Sequence, residues 1–236
     1  MNLTENILDN STVNTETLIK PKHDCTLHFD GMSYYICIPF SPKKRVSKNS
    51  WMCAIDPGSR KFQTVYSPEN GNYTIIGDRA SNVLYEKLLQ LDQLISKKNS
   101  KNKDRIKKLR NRIKNLQSEL HHKTSKYLCD NYKTIYIPKL LKNNDIISKS
   151  NRRIQTKTVR SMVVLGHCKF VDTLKAKANL YTNVQVHVIT EEYTSQVCLN
   201  CKKRTKTSNE IWICNSCNFT IDRDALGSTN ILLKNW

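Results

Sequence analysis

Four cysteines spaced Cys198-x2-Cys201-x12-Cys214-x2-Cys217 carry the clearest chemistry in the chain. Each pair puts two thiolates on one tight turn, and four soft sulfurs suit a tetrahedral Zn2+. Asn200 and Asn215-Ser216 fill the turns. No coordination position is left open, so the expected metal is structural. The other cysteines, Cys25, Cys37, Cys53, Cys129 and Cys168, are scattered. An odd total of nine with paired knuckles argues for an intracellular, reducing compartment and a metal, not for a disulfide framework.

A second constellation is acidic. The 236 residues hold 20 Asp and Glu against 39 Lys and Arg, a net charge of +19, so acids at strand ends stand out. Asp56 ends one apolar run, Glu191 and Glu192 follow another, and Asp222 and Asp224 open the last helical stretch. Three carboxylates meeting at the ends of a mixed sheet can hold two Mg2+ or Mn2+ ions with positions left for water and phosphate. Such a pair activates water and stabilises the leaving oxygen in phosphodiester cleavage. Plainer roles stand beside this one. Asp56 before Pro57-Gly58 suits a turn, Asp222 suits a helix N-cap, and Asp224 suits the positive end of a helix dipole.

The surplus of positive charge points to a polyanion, with nucleic acid first. It is densest from Lys97 to Lys114, with ten basic residues and one acid. The candidate backbone contacts are Arg105, Lys107, Lys108, Arg110, Arg112 and Lys114; a solvated helical face is the plain alternative. No apolar run approaches the ~20 residues that span a bilayer, so no membrane partner is expected. The polar, acidic first twenty residues do not resemble a signal peptide.

These groups need elements to position them. Residues 1–24 read as a flexible leader. Cys25–Phe29 and Ser33–Pro39 suggest a hairpin about Asp30-Gly31, and residues 41–50 a basic linker. Trp51–Ile55, Phe62–Tyr66 and Tyr73–Ile76 read as a three-strand meander, with Asn70-Gly71 a hairpin signal. Residues 78–128 read as a helical hairpin. Leu84, Leu88, Leu91 and Ile95 form one stripe, and Ile106, Leu109, Ile113, Leu116 and Leu120 form the other. Lys133–Ile137 is a strand, 142–157 a polar loop, Thr158–Tyr181 a helix, Val184–Ile189 a strand and Asp222–Leu233 a final helix. A meander followed by β/α crossovers makes a mixed α/β layer.

In order along the chain, Ala54–Thr64 (AIDPGSRKFQT), Glu191–Ser195 (EEYTS), the cysteine ribbon and Asp222-Arg223-Asp224 resemble the TnpB transposon-associated nucleases, more closely the branch with the Fanzor proteins. Leu120–Thr124 and Thr158–Cys168 look familial too, so the resemblance covers about residues 25–236. It implies an RNase H-like, RuvC-type mixed sheet with an inserted helical hairpin and a zinc ribbon. By position, 25–50 is then the tail of an N-terminal barrel with its linker, 51–194 the nuclease domain, 195–219 the ribbon and 220–236 the last helix of the fold. The implied activity is metal-dependent DNA cleavage, ancestrally RNA-guided, by a protein of a mobile element. Asp56, Glu191 and Asp224 become the ligands of Mg2+ or Mn2+, Glu192 is the neighbour that competes with Glu191, and Arg223 becomes a phosphate contact. DNA and a guide RNA are the implied partners. Two departures stand out: Leu226 occupies a position where the family usually has Asn, and the long N-terminal recognition region of the family has no counterpart. A shortened chain follows as an expectation. The rival reading is a degenerate zinc-ribbon protein that binds DNA or RNA without cutting.

Overall fold

A computed structural model describes residues 23–29, 33–39, 41–49, 51–139, 155–190, 194–207 and 209–236. Most of the leader (1–22), most of the polar loop at 142–157, and both Glu191 and Glu192 lie outside these residues. The described chain falls into two units, Met1–Lys43 and Lys44–Trp236. In the first, β1 (Thr26–Phe29) and β2 (Tyr34–Cys37) form the expected hairpin, antiparallel with Phe29 opposite Tyr34.

The second unit is organised by the pleat of one strand, β3 (Met52–Pro57). Side chains alternate across a sheet. Cys53 and Ile55 face one cluster with Phe62, Ile135, Ile137, Leu128 and Phe170. Ala54 faces a second cluster with Ile231, Leu232 and Tyr136. Beside β3 run β4 (Lys61–Tyr66), β5 (Tyr73–Asp78), β6 (Thr134–Pro138) and β7 (Gln185–Ile189), in the sheet order β5-β4-β3-β6-β7. The meander is antiparallel, whereas β3, β6 and β7 are mutually parallel. Parallel strands end at the same edge, so the ends of β3 and β7 lie on one side of the sheet.

Helices cover both faces. On the first cluster lie α1 (Ala80–Ser96), α2 (Lys103–Asn131), α3 (Thr156–Leu165) and α4 (His167–Ala178); α5 (Arg223–Asn235) covers the second. At about 1.5 Å per residue, α2 is roughly 44 Å long. Its C-terminal half is buried through His121, Thr124, Ser125, Leu128 and Cys129. Its N-terminal half keeps Ile113 and Leu116 half-buried against the core. The stripe on α1 ends early, since Ile95 is 43% exposed. Charged faces mark the rest of the hairpin: all six basic residues proposed as contacts on α2 are exposed.

The helix expected over Thr158–Tyr181 is two helices, α3 and α4. Gly166 breaks it at φ 64°, a conformation that costs glycine no Cβ clash. The carbonyls freed at the break have side-chain partners from α2: Gln117 Nε2 donates to Val164 O at 2.6 Å and His121 Nε2 donates to Leu165 O at 2.7 Å. The basic linker is also more tied down than its composition suggests. Arg45 N donates to Leu180 O, Lys48 N to Asp130 O and Ser47 N to Asn183 Oδ1, all at 2.8–2.9 Å. Two strands too short to show a period complete the fold, β8 (Ile211–Ile213) and β9 (Thr220–Asp222), paired antiparallel within the cysteine segment. Among the described residues no helix is long and apolar enough to cross a membrane.

Candidate metal centres and nucleic-acid interface

The four predicted cysteines meet. Their sulfurs lie within 4.8 Å of one another, with Cys198 to Cys217 at 3.6 Å and Cys201 to Cys214 at 3.5 Å. A Zn–S bond of about 2.3 Å in a tetrahedron puts sulfurs about 3.8 Å apart, so the set fits a metal ion such as Zn2+. The two knuckles repeat one design. Cys198 O accepts from Lys202 N and Cys214 O accepts from Asn218 N, and both Lys202 and Asn218 take positive φ, 61° and 56°. Burial raises the Cys214 thiol, but the backbone N–H groups of Ser216 and Cys217 donate to it and bring it down to about 6, while the neighbouring Cys201 thiol is pushed up to about 11. The lowered Cys214 value favours the thiolate a metal requires. Trp212 is fully buried beside these cysteines, and its Nε1 donates to Thr205 O at 3.3 Å.

Leu226 belongs to the same cluster. Its side chain is fully buried with Cys198, Trp212 and Cys214. The residue that replaces an expected amide is therefore the apolar contact that docks α5 on the ribbon. An amide does serve on α5 one turn later, where Asn230 Nδ2 donates to Thr194 O at 2.7 Å and Val197 O at 2.8 Å. It fixes the chain that enters the ribbon.

The acidic site follows from the pleat. Asp56 lies two residues beyond Ala54 and so shares the α5 side of β3. It sits against Gly227 of that helix: a methyl group added at Gly227 would lie 3.0 Å from Asp56 Cγ and closer still to Oδ2. Asp224 is one helical turn earlier. Asp56 and Asp224 line one cleft of about 300 Å3 with Arg60, Arg223, Thr194 and Ser195. Glu191 and Glu192 are outside the described residues, but the segments flanking them are not. β7 ends at Ile189, level with Pro138, and the chain resumes at Thr194 in the wall of this cleft. Two hard carboxylates in an open, polar cleft, one packed against a glycine, suit a hard divalent cation. Among the described residues three acids do not gather here; the cysteines are the one such grouping of potential ligands.

Asp222 takes the plainer role expected of it. It is the N-cap of α5, and its Oδ1 accepts from Asp224 N at 3.0 Å and Ala225 N at 3.1 Å. Its other oxygen accepts from Lys61 Nζ at 2.7 Å, and Lys61 also reaches Asp224 Oδ2 at 3.4 Å. Burial works against the charge on both Asp222 and Lys61. It is the largest single influence on each. Their mutual hydrogen bond and charge attraction, with Asp224 helping Lys61 and the N–H groups of Asp224 and Ala225 helping Asp222, together outweigh it, so the Asp222 carboxyl is held below its usual range and the Lys61 ammonium above. Nothing in the sequence pattern marked Lys61. Its partner is 161 residues away, and the one available signal was its place on the strand after Asp56.

A second cleft of about 480 Å3 adjoins the first. Arg60, Lys61, Arg79, Lys157, Asp222 and Asp224 are among its lining residues. Arg79 pairs with Asp78 at 3.8 Å, and Arg60 reaches across to Glu210 of the ribbon.

The turn between Asp56 and Lys61 has its own support. His167, the first residue of α4, donates from Nε2 to Gly58 O at 3.0 Å, while Nδ1 accepts from Gln63 Nε2 at 3.4 Å. The ring stacks on Phe62 at 5.2 Å, and Phe62 is flanked in turn by His121 and Phe170. Burial pushes the His167 pKa down to about 4, against a smaller upward pull from the Gly58 carbonyl. The imidazole is neutral and acts as a strut.

Residues 167–231 match the family model "Cas12f1-like, TNB domain". Two TnpB-like proteins of Acanthamoeba polyphaga mimivirus are each 31% identical over 240 residues, 94% of this chain; the chain spans 46% and 45% of them, about half their length. A protein of the same virus named as a transposase is 30% identical over 82% of the chain. Among solved structures, a CRISPR-Cas12f ternary complex covers 84% of the chain at TM-score 0.57 and 13% identity; the match takes in 41% of that protein. A Cas12f1–sgRNA–target DNA complex does so at TM-score 0.55 and 14% identity, over 52% of that protein. The shared sheet, the cysteine cluster and these likenesses make this a TnpB-like protein.

Proposed function

We propose that this chain carries the nuclease centre of a TnpB-like protein and hydrolyses DNA phosphodiesters with a divalent cation held by Asp56, Asp224 and Glu191. The observation that carries the reading is the meeting of Asp56 and Asp224 in one cleft, which Thr194 also lines. A cation held there would supply positive charge to the scissile phosphate. The chain's own residues do the rest. Arg223 lines the same cleft and binds phosphate oxygens. His167 holds the turn after Asp56, and Gly227 leaves the Asp56 carboxylate its room. The cysteine cluster is a structural Zn2+ site that fixes the start of α5. The exposed basic face of α2, Arg105 to Lys114, takes the nucleic-acid backbone. By likeness to the Cas12f complexes, the proposed partners are DNA and a guide RNA.

The binding-only reading draws support from one observation: Lys61 already offsets part of the charge of Asp222 and Asp224. A cleavage assay separates the two. DNA, single- and double-stranded, is incubated with Mg2+ or Mn2+ with and without co-purifying RNA. Cleavage that disappears in Asp56→Ala and in Glu191→Gln, and survives in Glu192→Gln, is the expected result. Retained cleavage in Asp56→Ala rejects the assignment. Salt-sensitive binding without cleavage leaves the binding module standing.

A further inference from the structure

Asp224 stands between two clefts. Asp56 approaches from one, and Lys61 from the other. Lys61 Nζ bridges Asp222 Oδ2 at 2.7 Å and Asp224 Oδ2 at 3.4 Å, with the three side chains only 21–30% exposed. An ammonium in that place competes electrostatically with a divalent cation for Asp224, because both draw on the same carboxylate charge in a half-buried setting. Asp222 does not share this conflict. Its Oδ1 is committed to the helix N-terminus.

The second cleft offers Lys61 another anion. Lys61 shares its walls with Arg60, Arg79 and Lys157, and the first two are already held by acids on the same rim. A phosphodiester entering there meets Lys61 on a flexible four-carbon stem. We infer that Lys61 is a positioning residue that couples the two ligands: a phosphate in the second cleft draws its ammonium off Asp224, and Asp224 then becomes available to the divalent cation beside Asp56. Nucleic acid and metal therefore bind with positive cooperativity, and by linkage each tightens the other equally. In the absence of a polyanion the site is partly neutralised by its own lysine. The inference rests on the proposed nuclease centre.

The test measures binding rather than turnover. Free Mn2+ is followed by electron paramagnetic resonance in titrations of the full chain, with and without a short phosphorothioate oligo-dT whose own Mn2+ uptake is subtracted. The site in question is the one that Asp56→Asn removes. In the wild type the oligonucleotide should tighten it about tenfold, within the usual range of coupling. Lys61→Met should bind Mn2+ as tightly alone as the wild type does with oligonucleotide, and gain nothing further from it. Lys61→Arg, which keeps the charge, should retain the coupling. Zinc content and thermal midpoint of each variant establish that it is folded. Equal coupling in wild type and Lys61→Met would mean that phosphate contacts the metal directly, and would overturn the role of Lys61 while leaving the nuclease centre intact. Weaker Mn2+ binding in folded Lys61→Met would overturn it as well. If no Mn2+ site responds to Asp56→Asn, the nuclease centre itself is rejected, and this inference with it.

Discussion

The strut formed by His167 predicts a specific acid sensitivity. In the folded chain its pKa lies at about 4, against an ordinary 6.5. The depressed value means that the unfolded chain binds more protons between these limits. Stability is fully present above the unfolded value and is lost as pH falls toward the folded one. The full difference of about 2.5 pKa units corresponds to about 3 kcal/mol. Between about pH 7 and about pH 5 the same linkage gives a loss of about 2 kcal/mol. His121, also depressed chiefly by burial, adds to the same window. Asp130 and Asp222, held below the usual carboxylate range, act only at lower pH, so they do not confuse the measurement. Urea denaturation at the two pH values, for the wild type and for His167→Gln, reads the effect. Glutamine can still donate to Gly58 O but cannot take up a proton. The variant should lose about 2 kcal/mol of the pH dependence in that interval, keeping the parts due to His121 and to protonation of the Cys214 thiolate. An unchanged slope would refute the assignment of a buried neutral imidazole, and with it the account of how the turn after Asp56 is held.

Three further outcomes are expected. Gly227→Ala places a methyl against Asp56; overpacking of this kind costs about 1–3 kcal/mol. Mn2+ affinity should fall while zinc content holds, and unaltered Mn2+ binding would count against that contact. Cys214→Ser should release zinc, measured by atomic emission, and shift Trp212 fluorescence to the red, since that ring is fully buried in the cysteine cluster. Replacing Arg105, Lys108 and Arg112 together by Gln should lower the salt slope of duplex DNA binding by about 2.7 if all three meet phosphate; an unchanged slope would make this face merely solvated.

What the sequence made legible was mostly local. The two CxxC pairs specify their own turns, so their spacing sufficed. The hairpin stripes on α1 and α2 showed because helical period is a short-range signal. The break at Gly166 was missed, because the apolar period runs on across it and its supports are distant: Gln117 and His121 reach the freed carbonyls from 47 and 44 residues away. β8 and β9 have three residues each, too few for alternation to register. Leu226 looked like a lost amide because only the partner of a side chain reveals its purpose, and here the partner is the ribbon. Lys61 looked like one lysine among many, and its meaning depends on two carboxylates brought to it by the last helix.

That helix joins the two proposed centres. Asp222 closes β9 opposite Ile211 of the ribbon, caps α5 and receives Lys61. Two residues on, Asp224 faces the cleft. Leu226 enters the ribbon cluster, Gly227 touches Asp56, and Asn230 holds Thr194 and Val197 on the way into the ribbon. Within nine residues, then, the side chains of one helix alternate between the cysteine cluster and the carboxylates. A ribbon inserted here cannot loosen without freeing the N-cap that sets Asp224, because β9 pairs with β8 inside the ribbon and leads directly into α5. The cysteine cluster and the acidic cleft are therefore mechanically one structure.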